Sequence, residues 1–243
     1  MQNIWGRTGL RSGLVFFFKL PPTFFASDGP VRTSEWEGVF FAGCSLCENI
    51  NCKSEVMHDI EPFYNWRHIY TSEEDERSPF FGRTYSEFEF SQTIYNYYIH
   101  PQWDEFGSRT LYLKVLMADY DEHYVVIEMI GEWNDAIEND IMQLKREVAD
   151  WFRQEGISKY ILIAENVLNF HSGDKDYYQE WYEEVTDDEG WIVCLNMPEQ
   201  TQYDFKKKNL NYYIELMEIP DWRVYRPIHL FRKIDEQIMK RLV

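Results

Sequence analysis

The stretch YVVIEMIGEWNDAIENDIMQLKREVADWFRQEGISKYILIAE, residues 124–165, decides the fold of this chain. It contains an apolar strand at residues 124–130, a long amphipathic segment, and a second apolar strand at residues 159–165. A helix between two such strands predicts a β-α-β crossover, in which the strands are parallel neighbours in one sheet. The sequence therefore predicts an α/β protein.

The helix of this crossover is predicted from its apolar residues, which recur at spacings of four, three, four and three. They are Ile137, Ile141, Leu144, Val148 and Trp151, and we expect them to form one buried stripe. Asn134 or Asp135 is expected to cap the first turn, and Gly156 to end the helix in the left-handed conformation. The helix is thus expected to begin directly after Asp135.

Further strands and helices alternate on both sides of the crossover. Residues 110–120 and 123–133 are expected to form two strands joined as a hairpin, and residues 191–195 and 212–216 two more strands. A helix separates each later pair of strands, and a last helix begins at Pro227. The predicted order is β-β-α-β-α-β-α-β-α in a mixed β-sheet.

Composition limits the classes of function that are open to this chain. It has 243 residues, of which 44% are apolar and 18% aromatic, so disorder is a poor description. The formal net charge is -18, which repels nucleic acid and anionic lipid headgroups. The apolar run at residues 14–18 is too short to span a bilayer and short for a signal peptide. We expect a cytoplasmic protein that binds neither nucleic acid nor a membrane.

Residues 1–56 differ from the rest of the chain. They hold five basic and five acidic residues, so all of the excess acid lies after them. Their lack of periodicity predicts a poorly structured or non-native N-terminal extension, with Met57 as the natural start. Residues 57–108 are then an aromatic-rich segment packed on the core, and residues 109–243 are the α/β domain.

The region 111–216 resembles the sulfate-transporter and anti-sigma-factor-antagonist (STAS) domain in its order of elements. Ile-Gly-Glu at residues 130–132, leading into Asp135, is similar to the start of that family's first crossover. The family's phosphoacceptor turn, Asp-Ser-Ser-Gly or Asp-Ser-Thr-Gly, aligns with His-Ser-Gly-Asp at residues 171–174, where only Ser-Gly matches. The resemblance implies a STAS-like regulatory protein that binds a protein partner, with Ser172 as the candidate phosphoacceptor.

A second resemblance covers residues 57–243. The peptides Phe-Tyr-Asn-Trp (63–66), Tyr-Ile-His-Pro-Gln-Trp (98–103) and Ile-Gly-Glu-Trp-Asn-Asp (130–135) look like those of an uncharacterised bacterial family of acidic soluble proteins. This resemblance implies no activity, but it supports Met57 as the usual beginning of the chain.

Polar side chains follow three of the predicted strands, at the edge where open α/β sheets bind ligands. They are Glu132, Asn134 and Asp135 after the first strand, Glu165, Asn166, His171, Ser172 and Asp174 after the second, and Asn196 after the third. Two carboxylates beside a histidine could do acid-base catalysis or bind a divalent cation, with Glu132, Glu165 and His171 as the candidates. The alternative is that these residues cap helices and end strands, which every α/β fold requires.

Ser172 is open to two interpretations. A phosphate on this residue would meet free backbone amides at a helix start, whereas an N-cap serine uses the same geometry without a phosphate. The sequence favours the cap and leaves the modification as a candidate.

The cysteines allow one metal pattern. Cys44, Cys47, Cys52 and His58 have the spacing C-x2-C-x4-C-x5-H, which supplies four zinc-type ligands. This spacing departs from common zinc fingers, so no metal or other cofactor is predicted. Cys194, inside an apolar strand, is expected to be a small core residue, and an unpaired buried cysteine suits a reducing compartment.

Three functions remain open from the sequence. The first is a cytoplasmic, non-enzymatic protein that binds a protein partner through its strand-end loops and helices. The second is a small enzyme or metal-binding protein that uses Glu132, Asp135, Glu165 and His171. The third is a structural subunit of an assembly, in which aromatic side chains make the contacts.

Overall fold

The structure, a computed structural model, describes residues 60–86, 88–90, 92–94 and 97–242. The extension predicted at residues 1–56 and the zinc-type candidates Cys44, Cys47, Cys52 and His58 lie outside these residues. The division into an aromatic-rich segment at 57–108 and an α/β domain at 109–243 stays a prediction.

Two sheets are present in the described residues. The smaller one pairs β1 (Thr93–Ile94) with β2 (Tyr97–Tyr98). The larger one has five strands that are neighbours in chain order, β3 (Leu111–Asp119), β4 (Tyr124–Asn134), β5 (Lys159–His171), β6 (Trp191–Leu195) and β7 (Glu215–Met217). β3 and β4 are antiparallel, and each later neighbour pair is parallel. The predicted mixed sheet is confirmed.

Helices connect the parallel strands in the predicted order. A continuous helical segment follows β4 and consists of α1 (Asp140–Leu144), a π-helical turn (Lys145–Ala149) and α2 (Asp150–Gln154). The later helices are α3 (Asp176–Asp187), α4 (Glu199–Lys207) and α5 (Pro227–Leu242), with 3-10 turns at Leu210–Tyr212 and Trp222–Val224. The order β-β-α-β-α-β-α-β-α is confirmed.

Both faces of the five-stranded sheet are covered, which explains why β4 and β5 are largely apolar. Alternate residues of β5 pack on opposite faces. Leu162 lies in one cluster with Leu144 of α1 and Trp181 of α3. Ile161 lies in another cluster, which includes Leu230 of α5. The crossover helices therefore cover one face and the C-terminal helix the other.

The helical segment begins later than predicted. Its first residue is Asp140, and its N-cap is Asn139, in the left-handed conformation at φ 54°. Ile137 therefore lies in the loop between β4 and α1, where it is 80% exposed. The prediction of Ile137 as a buried stripe residue was wrong, because the carboxylates of Asp135 and Asp140 accept hydrogen bonds from backbone amides and hold this stretch in a loop.

The π-helical turn changes which residues are buried further along the segment. Leu144 and Val148 are fully buried as predicted, but Trp151 is about half exposed. A π turn adds one residue to the helical repeat, so the buried stripe continues one position later, at Phe152. The prediction of Trp151 as a stripe residue was therefore wrong by one position.

β5 continues six residues past Glu165, where the predicted strand ended, and reaches His171. Two register shifts interrupt its pairing with β4 near residues 128–132. Such bulges change the alternation of side chains, so residues 165–171 do not show the period of two that is typical of a strand. Glu165, Asn166 and His171 lie inside the strand, and the prediction that they follow it was wrong.

The π turn also buries Lys145 completely, between the helical segment and α3. Its ammonium nitrogen lies 2.7 Å from a carboxylate oxygen of Asp150, 3.1 Å from Glu180 and 2.9 Å from Glu184. Burial acts to lower the pKa of Lys145, but its hydrogen bonds to these carboxylates outweigh burial and the pKa is raised. The charged lysine thus cross-links the two helices.

We expect Lys145→Met to lower the free energy of unfolding by about 3 kcal/mol, because three carboxylates lose the ammonium group with which all of them pair. Urea denaturation followed by circular dichroism measures this loss. Lys206→Met removes an exposed lysine of α4 and is the control, with an expected change of less than about 0.5 kcal/mol. Equal changes in the two variants would show that the buried lysine adds no stability.

Candidate functional site

The carboxyl ends of β4 and β5 lie side by side and form one edge of the sheet, which we call the strand-end edge (residues 132–138 and 168–174). The register pairs Asn134 with His171. The backbone amides of the two residues after Asn134 donate to the carbonyl oxygen of His171, at 2.8 and 3.2 Å. The two strand ends therefore meet, as a parallel crossover requires.

Glu132 and His171 are neighbours at this edge. A carboxylate oxygen of Glu132 lies 3.5 Å from Nε2 of His171 and accepts a 3.2 Å hydrogen bond from the side-chain amide of Asn169. The side chain of His171 is half exposed, whereas that of Glu132 is mostly covered. Two of the three candidate catalytic residues are thus together, as a polar pair that is open to solvent on one side.

Asp135 is a buried acid that ties the edge to the helices behind it. Its carboxylate accepts hydrogen bonds from the indole of Trp133 (2.9 Å), the backbone amide of Ile141 (2.9 Å) and the hydroxyl of Tyr178 (2.6 Å). Burial raises the pKa of Asp135 to about 7. The bond to Ile141 serves the first turn of α1, so Asp135 caps a helix that begins further along the chain than predicted.

Asp140 is a second buried acid at this site, and the sequence patterns did not single it out. Its carboxylate accepts hydrogen bonds from the backbone amide of Asn134 (2.6 Å) and the hydroxyl of Thr110 (3.3 Å), and burial raises its pKa. The side-chain oxygen of Asn134 accepts in turn from the amide of Ile137 (3.1 Å). The available signal was the pair Asn139-Asp140, since both residue types are common at helix starts.

Glu165 does not belong to the strand-end edge. It lies six residues before His171 on an extended strand, which places their Cα atoms roughly 20 Å apart. Its carboxylate forms an ion pair with Arg223 and accepts a 3.3 Å hydrogen bond from the indole of Trp222. The predicted convergence of Glu132, Glu165 and His171 was therefore wrong, because the longer β5 separates them.

Glu128, which the sequence patterns also missed, is a buried acid in the middle of β4. One carboxylate oxygen accepts a 2.7 Å hydrogen bond from the backbone amide of Phe63, and the other lies 3.7 Å from the guanidinium of Arg223. Burial raises the pKa of Glu128 to about 7. Arg223 thus bridges Glu128 and Glu165 on neighbouring strands, and Phe63 joins the segment before β1 to the sheet.

The remaining residues of the predicted binding edge lie apart from Glu132 and His171 or have structural contacts. The side-chain nitrogen of Asn196 donates to the carbonyl of Ile219 (2.9 Å), and its oxygen accepts from the amide of the same residue (2.7 Å), which prolongs the β6–β7 pairing. Asn166 lies inside β5, opposite Ile130 in the register. Asp174 is exposed in the loop before α3. A binding role for these residues stays a prediction.

Ser172 is half-buried in the loop that follows β5. α3 begins at Asp176 with Lys175 as its N-cap, so Ser172 lies before the helix start and the prediction that it caps this helix was wrong. Its neighbour Gly173 packs against Asp135, the residue after β4, where a Cβ atom would lie 2.5 Å from the carbonyl oxygen. The loop that contains Ser172 therefore packs closely against the end of β4. The phosphoacceptor role of Ser172 stays a prediction.

The described part of the chain offers few groups for metal binding or nucleophilic chemistry. Within it, no three His, Cys, Asp or Glu side chains are grouped so that they could hold a metal ion. Four pockets in this part have linings that do not include Glu132 or His171. Cys194 is a buried free thiol whose pKa is raised by burial, as expected for a core residue. None of the described helices has the length and apolar character that a membrane span needs.

Solved structures that resemble this chain include anti-sigma factor antagonists. The unphosphorylated antagonist SpoIIAA is 16% identical, with 45% of this chain and 89% of that protein covered at a TM-score of 0.37. The phosphorylated form of SpoIIAA, a Bacillus cell fate determinant, is 16% identical, with coverages of 54% and 99% and a TM-score of 0.33. A candidate anti-sigma factor antagonist from Thermotoga maritima is 16% identical, with coverages of 45% and 87% and a TM-score of 0.35.

Neither protein-family models nor curated protein sequences match this chain. The aligned part is about half of this chain. The assignment of the fold itself rests on the strand order and register of the five-stranded sheet.

The raised pKa values of Glu128 and Asp135 predict a stability that falls as the pH rises. From the ordinary carboxyl range, about 4, up to about 7, the folded state holds protons that the unfolded state has lost. The free energy of unfolding therefore decreases across this interval and levels off above it. We expect the double substitution Glu128→Gln and Asp135→Asn to flatten the decrease, as measured by urea denaturation at a series of pH values. An unchanged slope would contradict this assignment.

Proposed function

We propose that this protein acts by binding another protein through the strand-end edge, as a regulatory protein of the cytoplasm. The observation that carries the proposal is Ile137, a large apolar side chain that is 80% exposed on a loop whose backbone is held in place. Such pre-organised apolar side chains suit a binding anchor, because little conformational freedom is lost on association. The free thiol of Cys194 supports a reducing compartment.

The loop that carries Ile137 is tied to the protein from within. The amide of Ile137 donates to the side chain of Asn134, and the amides of Asp135 and Ala136 donate to the carbonyl oxygen of His171. The carboxylate of Asp135 is itself held by three donors. The outward position of Ile137 therefore does not depend on a partner.

The strand-end edge holds polar as well as apolar side chains besides Ile137. Leu168 of β5 is exposed, and the imidazole of His171, which pairs with the mostly covered Glu132, is half exposed. An apolar centre with polar groups at its rim is the usual anatomy of a protein-protein interface. The edge therefore supports contact with a complementary protein surface.

The enzyme alternative depended on Glu132, Glu165 and His171 lying together, and Glu165 lies apart from the other two. A general acid and a general base must both reach one substrate, but Glu165 is held by Arg223 and Trp222, far along β5 from His171. Glu132 keeps His171 as a neighbour and is also bonded to Asn169. The third alternative, a subunit of an assembly, stays a prediction.

A quantitative pull-down from the native cell, with the full chain as bait, tests the proposal. We expect a stoichiometric protein partner whose retention falls at least about tenfold with Ile137→Asp, because the contact would bury an unpaired charge. Phe81→Asp is the matched control, since Phe81 is also a large exposed apolar side chain but lies outside the strand-end edge. Equal retention by the two variants, whether high or low, would contradict a contact centred on Ile137.

Ser172 tests the regulatory part of the proposal separately. A phosphate adds about −1.5 to −2 charges, here within the strand-end edge and next to His171. We expect Ser172→Asp to lower retention of the same partner at least about threefold, while Ser172→Ala keeps it. Equal retention by these two variants would remove the phosphorylation switch and leave the protein contact standing.

A further inference from the structure

A groove lies where β6 begins, with a volume of about 300 Å³. We call it the β6 groove, and its lining includes Tyr182, Glu189, Trp191, Tyr212, Glu215 and Met239. The walls come from α3, from the chain that leads into β7, and from the end of α5. Because β4, β5 and β6 are parallel, the start of β6 lies at the opposite end of the sheet from the strand-end edge.

The β6 groove contains strand backbone that has no strand beside it on one side. β7 pairs with β6 only from Val193 onward, opposite Glu215, so Trp191 and Ile192 extend beyond the start of β7. The amide of Trp191 donates to the carbonyl of Ser158, on the side of β5. Since successive residues of a strand direct their backbone groups to opposite sides, both backbone groups of Trp191 face β5 and those of Ile192 face the side of β7. The register places the carbonyl of Ile192 against the amide of Glu215, so the amide of Ile192 is the group that remains for the groove.

Apolar side chains form the walls of the β6 groove. The ring centroid of Tyr212 lies 5.6 Å from that of Tyr182 and 5.2 Å from that of Tyr213, so the three rings make a continuous aromatic surface. Tyr212 is 70% exposed, and Met239 of α5 is about half exposed. This surface can cover the apolar side chains of a bound segment.

The charge of the β6 groove favours a basic occupant. Glu189 is exposed, two residues after the end of α3. Arg241, a basic residue of the lining, forms an ion pair with Glu215, so its charge is matched within the protein. Glu189 adds a negative charge on a chain whose net charge is -18. Lysine or arginine side chains complement this rim, and they also bind well over tyrosine rings.

We propose that the β6 groove binds an extended, basic segment of a partner protein, whose backbone accepts a hydrogen bond from the amide of Ile192. In this mode the side-chain contacts supply most of the affinity, and one main-chain hydrogen bond fixes the position of the segment. The apolar side chains of the segment lie against Tyr182 and Tyr212, and its basic side chains face Glu189.

Fluorescence anisotropy with the full chain and labelled eight-residue peptides tests this proposal. We expect saturable binding of a peptide that alternates valine and lysine, in buffer of physiological salt. A peptide that alternates valine and glutamate, and one that alternates glycine and lysine, should each bind at least about tenfold more weakly. Equal binding of the lysine peptides with valine and with glycine would overturn the proposal, because it would show general attraction to an acidic protein.

Substitutions in the groove, each with a matched control, locate the site. Tyr212→Ser and Glu189→Lys should each weaken binding of the valine-lysine peptide about tenfold, whereas Tyr203→Ser and Glu74→Lys make the same changes at exposed positions elsewhere and should leave it unchanged. All four positions are exposed, so the variants should fold, which circular dichroism checks. Equal weakening by groove and control variants would overturn the proposal.

Two further measurements test the occupant and its mode of binding. In hydrogen exchange followed by nuclear magnetic resonance, the valine-lysine peptide should slow exchange of the Ile192 amide at least about tenfold. Binding that leaves this amide unchanged would overturn the proposed contact with Ile192. Sedimentation of the chain alone tests whether the groove binds a second copy of the chain. We expect the wild-type chain and Tyr212→Ser to sediment alike, with no self-association that depends on Tyr212. Such self-association would overturn the proposal by assigning the groove to a second copy of the chain.

Discussion

The parallel pairing of β4 with β5 is the constraint on which the rest of this structure depends. The register runs from Tyr124 opposite Lys159 to Asn134 opposite His171, so β4 is paired along its whole length apart from two bulges. A parallel pair needs cover on both faces, which the crossover helices and α5 provide. The same pairing joins the strand ends. The loop that holds Ile137 outward is fixed because its first amides reach the carbonyl of His171.

The order of elements was predictable because each strand and helix buries an apolar face, and the period of that face is visible in the sequence. The structure departs from the predicted elements where a local change in the backbone interrupts the period of the apolar residues. The π turn adds one residue, and Trp151 and Phe152 are both apolar, so the pattern alone does not choose between them. The bulges in the β4–β5 pairing likewise remove the alternation by which the polar second half of β5 could be predicted as a strand. The irregular backbone includes Gly131, which has a φ of 120°.

The candidate site was predictable only where it follows from the topology. Glu132 and His171 come together because they lie at adjacent ends of parallel strands, whereas the role of an acid depends on which distant groups bury it. Asp135 is covered by Tyr178 from the next helix, and Glu128 by Phe63 from far earlier in the chain. In a chain with 42 acidic residues, residue type does not distinguish such buried acids from those on the surface.

Glu128 also bears on how the chain avoids aggregation before it folds. Without this residue, the stretch YVVIEMI at 124–130 would be an uninterrupted run of the β-prone apolar residues from which fibrils form. The partner of Glu128, the amide of Phe63, is 65 residues away in sequence, so the carboxylate is charged and unshielded until the segments dock. In a fibril the negative charges of Glu128 on stacked copies would repel one another, and this repulsion opposes aggregation. Glu128 thus lowers the stability of the folded sheet near neutral pH, but it also opposes aggregation of the same strand before the chain folds.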